Sequence, residues 1–82
     1  MTAKNKNAIK AQVIQYLNKK GYKDFTVKWS GDFIHVSLWD IITFKEYGKI
    51  EADLENIVGT LSGRFSWMNA LKFRAGNVRF VK

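Results

Sequence analysis

Few side chains in this sequence could take part in acid–base, nucleophilic or metal chemistry. His35 is the only histidine and there is no cysteine, which excludes thiolate zinc sites, disulfides, cysteine nucleophiles and histidine clusters. His35 falls between Phe33 and Ser37 in a strand-like segment, where we expect an ordinary sheet residue. Asp40 follows that segment and precedes a helix start, a position typical of a turn-forming or capping residue.

The remaining acidic residues do not form a convincing metal site or catalytic pair. Glu51, Asp53 and Glu55 could offer oxygens to a divalent cation, but Glu51 and Glu55 are four residues apart on one helix face, which we interpret as solvated. The sequence has no glycine-rich phosphate loop, no zinc-ligand spacing and no nucleophile elbow. We therefore expect a protein that is not an enzyme, with no catalytic residue, no metal and no cofactor.

The positive charge of the chain is concentrated at its two ends. The formal net charge is +7. Residues 1–23 contain six lysines and no acidic residue, residues 64–82 contain five basic residues and no acidic residue, and the acidic residues gather between them. If the two ends meet in space, they form one positive surface that favours phosphate backbones or acidic proteins.

Aromatic side chains accompany the basic ones. Nucleic-acid modules combine a basic groove with aromatic rings on which bases stack, although most aromatics of so small a chain must fill its core. Trp, Tyr and Arg are also enriched at protein interfaces, so a protein partner stays an alternative. The residues that we expect to contact nucleic acid or an acidic protein are Lys10, Lys20, Arg64, Trp67, Lys72, Arg74, Arg79 and Trp39.

Hydrophobic periodicity indicates the elements of the first half of the chain. Ile9, Val13 and Leu17 recur at helical spacing, which predicts a helix over about residues 6–20. Residues 25–29 and 33–39 alternate apolar and polar side chains around a glycine turn, which predicts a β-hairpin. Phe33, His35, Ser37 and Trp39 share one face of the second strand, and we expect that face to meet solvent.

The second half repeats this order. Thr43 and Glu46 have the spacing of a capping box, and an apolar helical stripe follows as far as Leu61. Residues 68–74 and 78–81, separated by a turn, predict a second hairpin. The order α-β-β-α-β-β predicts one α+β domain over residues 1–82, a two-layer sandwich with a four-stranded antiparallel sheet and two helices on one face. If the first helix lies beside the second hairpin, the two basic ends share one surface.

Several short motifs resemble those of a family found in mobile elements. They are Phe25-Thr26-Val27-Lys28, Ile34-x-Val36-Ser37-x-x-Asp40, Glu46, Gly63-Arg64-Phe65-x-x-Met68 and Lys72-Phe73-Arg74. With them, about residues 13–82 resemble the large polyvalent protein-associated domains of phages and conjugative elements. The departures are Ile41-Ile42 where the family has Gly-Pro, Ser66-Trp67 where it has Asp-Gly, and Ala70 where it has a second acid. The resemblance implies a non-enzymatic protein of a phage or mobile element and supplies no catalytic residue.

Two functions from different classes follow. The first is a small basic module that binds nucleic acid through a Lys/Arg and aromatic surface. The second is a phage-type inhibitor or adaptor that binds a host protein, such as a nuclease complex of an antiviral defence system.

No apolar run approaches the roughly 18–20 residues that span a bilayer, and no secretory signal is apparent, so we expect a cytoplasmic location without a membrane partner. The sequence leaves the oligomeric state open, a homodimer included.

Overall fold

The structure, a computed structural model, describes residues 3–62 and 70–80. Its helices and strands follow the chain in the order α1 (Ala3–Lys19), β1 (Phe25–Ser30), β2 (Phe33–Leu38), β3 (Ile42–Thr43), α2 (Phe44–Ser62), β4 (Leu71–Ala75) and β5 (Val78–Arg79). Both helices lie close to their predicted ranges. The capping box is formed: the Glu46 backbone N–H donates to the Thr43 hydroxyl, and the Thr43 backbone N–H donates to the Glu46 carboxylate, each at 3.1 Å.

The main sheet has three strands in the order β1-β2-β4, with β2 at its centre. β1 and β2 form the expected antiparallel hairpin, in which Phe25 pairs with Leu38 and Ser30 with Phe33. The loop between them is Gly31-Asp32, and Gly31 has a φ of +60°. A positive φ at the first position of a two-residue loop favours glycine, and this turn matches the right-handed twist of the strands.

The prediction of a four-stranded antiparallel sheet is wrong, because β4 pairs with β2 in parallel. Ile34 lies opposite Leu71 and Leu38 opposite Ala75. Parallel neighbours need a long crossover, and here β3 and α2 supply it. The sheet is therefore mixed, with a hairpin on one side of β2 and a crossover partner on the other.

The predicted second hairpin is also wrong, because β5 pairs with β3 in a separate parallel sheet of two strands. This small sheet continues the β2–β4 pair after an interruption. Leu38 pairs with Ala75 and the next pair is Ile42 with Val78, so the β2–β3 segment has one more residue than the β4–β5 segment. One strand with an extra residue defines a β-bulge, a device that bends the ladder and re-aims a side chain.

The core lies between the two helices and one face of the main sheet. α1 contributes Ile9, Val13 and Leu17 to the core. Alternate residues of β2 are buried with them, namely Ile34, Val36 and Leu38, and α2 adds Ile50, Leu54 and Val58. On α2, Val58 is fully buried, while its neighbour Ile57 is partly buried against the same core. Within residues 3–62 and 70–80, no helix is both long and apolar enough to cross a bilayer.

Candidate functional site

The side of the main sheet that faces away from the helices forms a continuous polar surface, which we call the outer face. Strand residues alternate between the two sides of a sheet, so the neighbours of the buried residues in β1, β2 and β4 point outward. The outer face consists of Thr26, Lys28, Ser30, Phe33, His35, Ser37, Lys72 and Arg74. This set contains no acidic residue, and both helices pack on the opposite side.

The strand register groups the polar side chains of the outer face into two rows. Lys28 lies opposite His35, which in turn lies opposite Lys72. In the next row, Ser37 lies between Thr26 and Arg74. Three permanent cations and two hydroxyl groups are thereby collected on a small area without a carboxylate. Such an arrangement repels cations and attracts anions, since charges of one sign add their fields.

A groove of about 500 Å³ runs across these rows. It is lined by Lys28, His35, Ser37, Lys72, Phe73 and Arg74. The side chains around it are all hydrogen-bond donors or cations apart from the phenyl ring, which is the donor set that phosphate oxygens require.

An aromatic ring marks each end of the outer face. Phe33 begins β2 and is 45% exposed, whereas Trp39 follows β2 and is 36% exposed. The Lys72 ammonium lies 5.0 Å from the Phe33 ring centroid, and the Arg74 guanidinium lies 5.3 Å from the Trp39 ring. The two cations therefore lean towards opposite ends of the sheet, and the groove opens between them.

The bulge between the two sheets holds Trp39 in place. The Trp39 backbone N–H donates to the Asp24 carbonyl at 2.7 Å, and the Asn77 side-chain amide donates to the Trp39 carbonyl. The indole ring lies so close to Gly76 that a Cβ atom at that position would collide with it. Gly76 also donates its backbone N–H to the Leu38 carbonyl at 2.9 Å. A glycine is needed here because the ring and the β4 backbone approach each other closely.

Of the residues expected from the sequence to contact a partner, the structure brings Lys72, Arg74 and Trp39 together. Lys10 and Lys20 belong to the α1 segment, on the helical side of the sheet. The condition for joining the two basic ends is not met by α1: it packs mainly on β1 and α2, and α2 is the helix that contacts β4 and β5.

Of the three remaining residues of the predicted surface, the structure describes Arg79 alone. Arg79 lies on β5, beyond the bulge. Arg64 and Trp67 lie outside the described residues. The single basic surface predicted from the two ends of the chain is thus not assembled from the members that the structure describes.

Sequence reasoning left Lys28, Phe33, His35 and Ser37 out of the predicted contact residues. The signal was present, because Phe33, His35 and Ser37 alternate with the buried residues of β2 and were expected to meet solvent. The sequence did not reveal the strand pairing, which places Lys28 of β1 and Lys72 of β4 on either side of His35.

Two of the acidic residues that the sequence singled out, Asp40 and Asp53, have structural partners. The Asp40 carboxylate accepts the backbone N–H groups of Lys23 and Asp24, the latter at 2.8 Å, which agrees with a turn-forming role. Asp53 accepts the Tyr16 hydroxyl at 2.6 Å. Among the described residues, no group of three or more His, Asp or Glu side chains could hold a metal ion.

Comparison of the chain with protein-family models, with curated proteins and with solved structures finds no significant match. The functional argument therefore rests on the geometry and charge of the outer face.

Proposed function

We propose that this protein is a non-enzymatic module that binds nucleic acid on its outer face. The observation that carries the proposal is the gathering of Lys28, Lys72 and Arg74 on the outer face, whose described strand residues include no acidic side chain, with an exposed aromatic ring at each end. Phosphate backbones are recognised by such cations, and stacking on rings adds contacts to the bases. The mobile-element origin implied by the short sequence motifs is a separate proposal that this geometry does not require.

The salt dependence of binding tests the proposal quantitatively. Three phosphate contacts predict a slope of log affinity on log salt of about −2 to −3, since each contact contributes roughly −0.7 to −0.9. Between 50 and 200 mM salt, the affinity for an oligonucleotide should then fall by roughly 20- to 40-fold. Fluorescence anisotropy with a labelled oligonucleotide measures both quantities.

A pair of double variants with equal charge loss identifies the surface. Replacement of Lys72 and Arg74 by alanine removes two cations of the outer face and should flatten the slope by about 1.5. Replacement of Lys10 and Lys20 by alanine removes the same charge from the helical side and should change the slope little. An equal effect of the two double variants would show that net charge alone drives binding, and the outer face would lose its assignment.

A second candidate function is docking on a protein, and a different surface favours it. Ile41, Phe44 and Phe80 are 60%, 58% and 78% exposed, and the rings of Phe44 and Phe80 lie 5.2 Å apart. Exposed large apolar side chains that touch each other often mark an interaction site. Lys45 and Arg79 are their immediate neighbours in sequence, so the matching partner is a host protein with an apolar patch and an acidic rim.

Substitutions on the two surfaces distinguish the two candidate functions. The first test is whether the wild-type chain captures a host protein from nuclease-treated lysate. Docking on a protein would be supported if this capture is lost when either Phe44 or Phe80 is replaced by alanine and if high salt releases the captured protein. Retention of an oligonucleotide by the Phe44→Ala variant, together with its loss in the Lys72/Arg74 double variant, would support the nucleic acid.

A further inference from the structure

The proposed function leaves the form of the nucleic acid undetermined, and the layout of the outer face constrains it. Phe33 and Trp39 are six positions apart along one strand direction. At about 3.3 Å per residue, this separation is roughly 20 Å. The two rings therefore stand at opposite ends of a strip that follows β2, with the groove between them.

Exposed rings on an open sheet cannot stack on the bases of an intact duplex, because those bases are already stacked on each other. Single strands, by contrast, offer free base faces, and sheet-based RNA modules use aromatic residues on the sheet to stack two or three bases. A protein that contacts only the phosphates of a duplex has no use for exposed rings at both ends of the strip.

The cations between the rings complete this arrangement. Lys72 lies over part of the Phe33 ring, and Arg74 lies over part of the Trp39 ring. A phosphate in the groove would attract both side chains inward, because a charge-assisted hydrogen bond is stronger than an exposed cation–π contact. The two ring faces would then be uncovered for bases at the two ends of the bound strand.

We infer that the outer face binds single-stranded nucleic acid lengthwise along β2, with phosphates in the groove between Lys72 and Arg74 and one base on each of Phe33 and Trp39. The inference rests on the proposed function. The strip of about 20 Å corresponds to roughly six stacked nucleotides at about 3.4 Å each, and to fewer when the strand is extended.

The first experiment compares probes of different form on the wild-type chain. Oligothymidylates of increasing length should gain affinity steeply until they reach about six nucleotides, and only gradually beyond that length. A duplex of equal total charge and inorganic polyphosphate should bind at least tenfold more weakly than the single strand at the same salt concentration. Equal binding of single strand and duplex would overturn the inference.

The second experiment removes the rings. Phe33→Ala and Trp39→Ala should each weaken oligothymidylate binding by roughly 5- to 150-fold, which is the effect of losing one base stack, without changing the salt slope. Trp39→Phe retains an aromatic ring and should restore part of the affinity. Phe44→Ala is the matched control, because it removes an exposed ring that lies away from the outer face. Circular dichroism establishes that each variant is folded.

The outcomes distinguish this inference from the function on which it rests. If Phe33→Ala and Trp39→Ala bind like wild type while the Lys72/Arg74 double variant loses its salt slope, the outer face binds phosphate backbones and the single-strand inference is refuted. If no oligonucleotide binds with a measurable salt slope, both are refuted. Loss of affinity in Phe44→Ala as large as that in Trp39→Ala would place the stacking surface elsewhere.

Discussion

The polar groups on the two sides of the main sheet are used in opposite ways. On the helical side, Asp53 accepts a hydrogen bond from Tyr16, and Glu46 accepts hydrogen bonds from Tyr22 and Thr43. On the outer face, the described contacts of Lys72 and Arg74 are with aromatic rings rather than with carboxylates. Charges that have internal partners stabilise the fold, whereas cations without a carboxylate partner are available to an external anion.

The tyrosines show how strongly the helical side depends on its own contacts. Burial and the hydrogen bond to Glu46 raise the pKa of Tyr22 to about 12. The pKa of Tyr16 is raised further, first by burial and then by the hydrogen bond to Asp53. Both hydroxyl groups thus remain protonated donors at neutral pH, and they tie the α1 segment and the turn after it to α2.

The largest expected effect separates the core from the outer face. Leu54→Ala should reduce the free energy of unfolding by about 2–5 kcal/mol, because Leu54 is fully buried and its loss leaves a cavity. Urea denaturation measures the change. The folded fraction of this variant should still bind an oligonucleotide with the wild-type salt slope, since the outer face lies on the opposite side of the sheet.

Glu55→Ala is the companion variant, and it should change the free energy of unfolding by no more than about 0.5 kcal/mol, as most surface substitutions do. Equal shifts of the urea midpoint for the two variants would mean that α2 is rotated differently about its axis. In that case the division of the molecule into a packed side and an open side would need revision.

The elements on the packed side could largely be predicted from the sequence. The stripe of Ile9, Val13 and Leu17 and the capping box of Thr43 with Glu46 are local patterns, because each involves residues within a few turns of one helix. The hairpin turn at Gly31 is equally local. Local signals of this kind need no knowledge of distant parts of the chain.

The pairing of β4 could not be predicted in the same way, because it joins residues almost forty positions apart through a crossover. Gly76 gave a misleading signal. It indicated a hairpin turn, whereas the structure needs a glycine there because the Trp39 ring lies against it. The candidate site was affected too, since the row of Lys28, His35 and Lys72 exists only once β2 has neighbours on both sides.

Gly76→Ala tests the contact that holds Trp39 at the end of the outer face. The added methyl group would collide with the indole ring, so the ring or the backbone beside it must shift. We expect a loss of about 1–3 kcal/mol in the free energy of unfolding, as for other overpacked sites, and weaker binding of single-stranded oligonucleotides.

Gly48→Ala provides the control, because nothing lies within 4 Å of the added atom in α2. It should stabilise the protein by roughly 0.5–1 kcal/mol through the higher helix propensity of alanine. If Gly76→Ala binds oligonucleotides as wild type does, the position of the Trp39 ring is not needed on the outer face.

The smallest expected effect is the pH-dependent contribution of Glu46 to the free energy of unfolding. Hydrogen bonds from Thr43 and Tyr22 hold the pKa of Glu46 below its ordinary value. A carboxylate whose pKa is lowered by folding stabilises the folded state above its unfolded pKa, near 4.3, and loses that contribution as the pH falls through the folded pKa. Glu46→Gln should therefore be less stable than wild type at pH 7, by less than about 1 kcal/mol for a group at an exposed helix N-terminus.

The sign of this effect distinguishes the cap from a general loss of charge. In urea denaturation, the difference between wild type and Glu46→Gln should shrink as the pH is lowered from 7 through the folded-state pKa of the carboxyl, below which the wild-type side chain is protonated. In a Thr43→Ala background the same difference should be somewhat smaller at pH 7, because the Thr43 hydroxyl no longer donates to the carboxylate, while the backbone N–H still does. A difference that grows on acidification would contradict the hydrogen-bonded cap. The oligonucleotide salt slope should be the same in both variants, because the capping residues lie apart from the groove that Lys72 and Arg74 border.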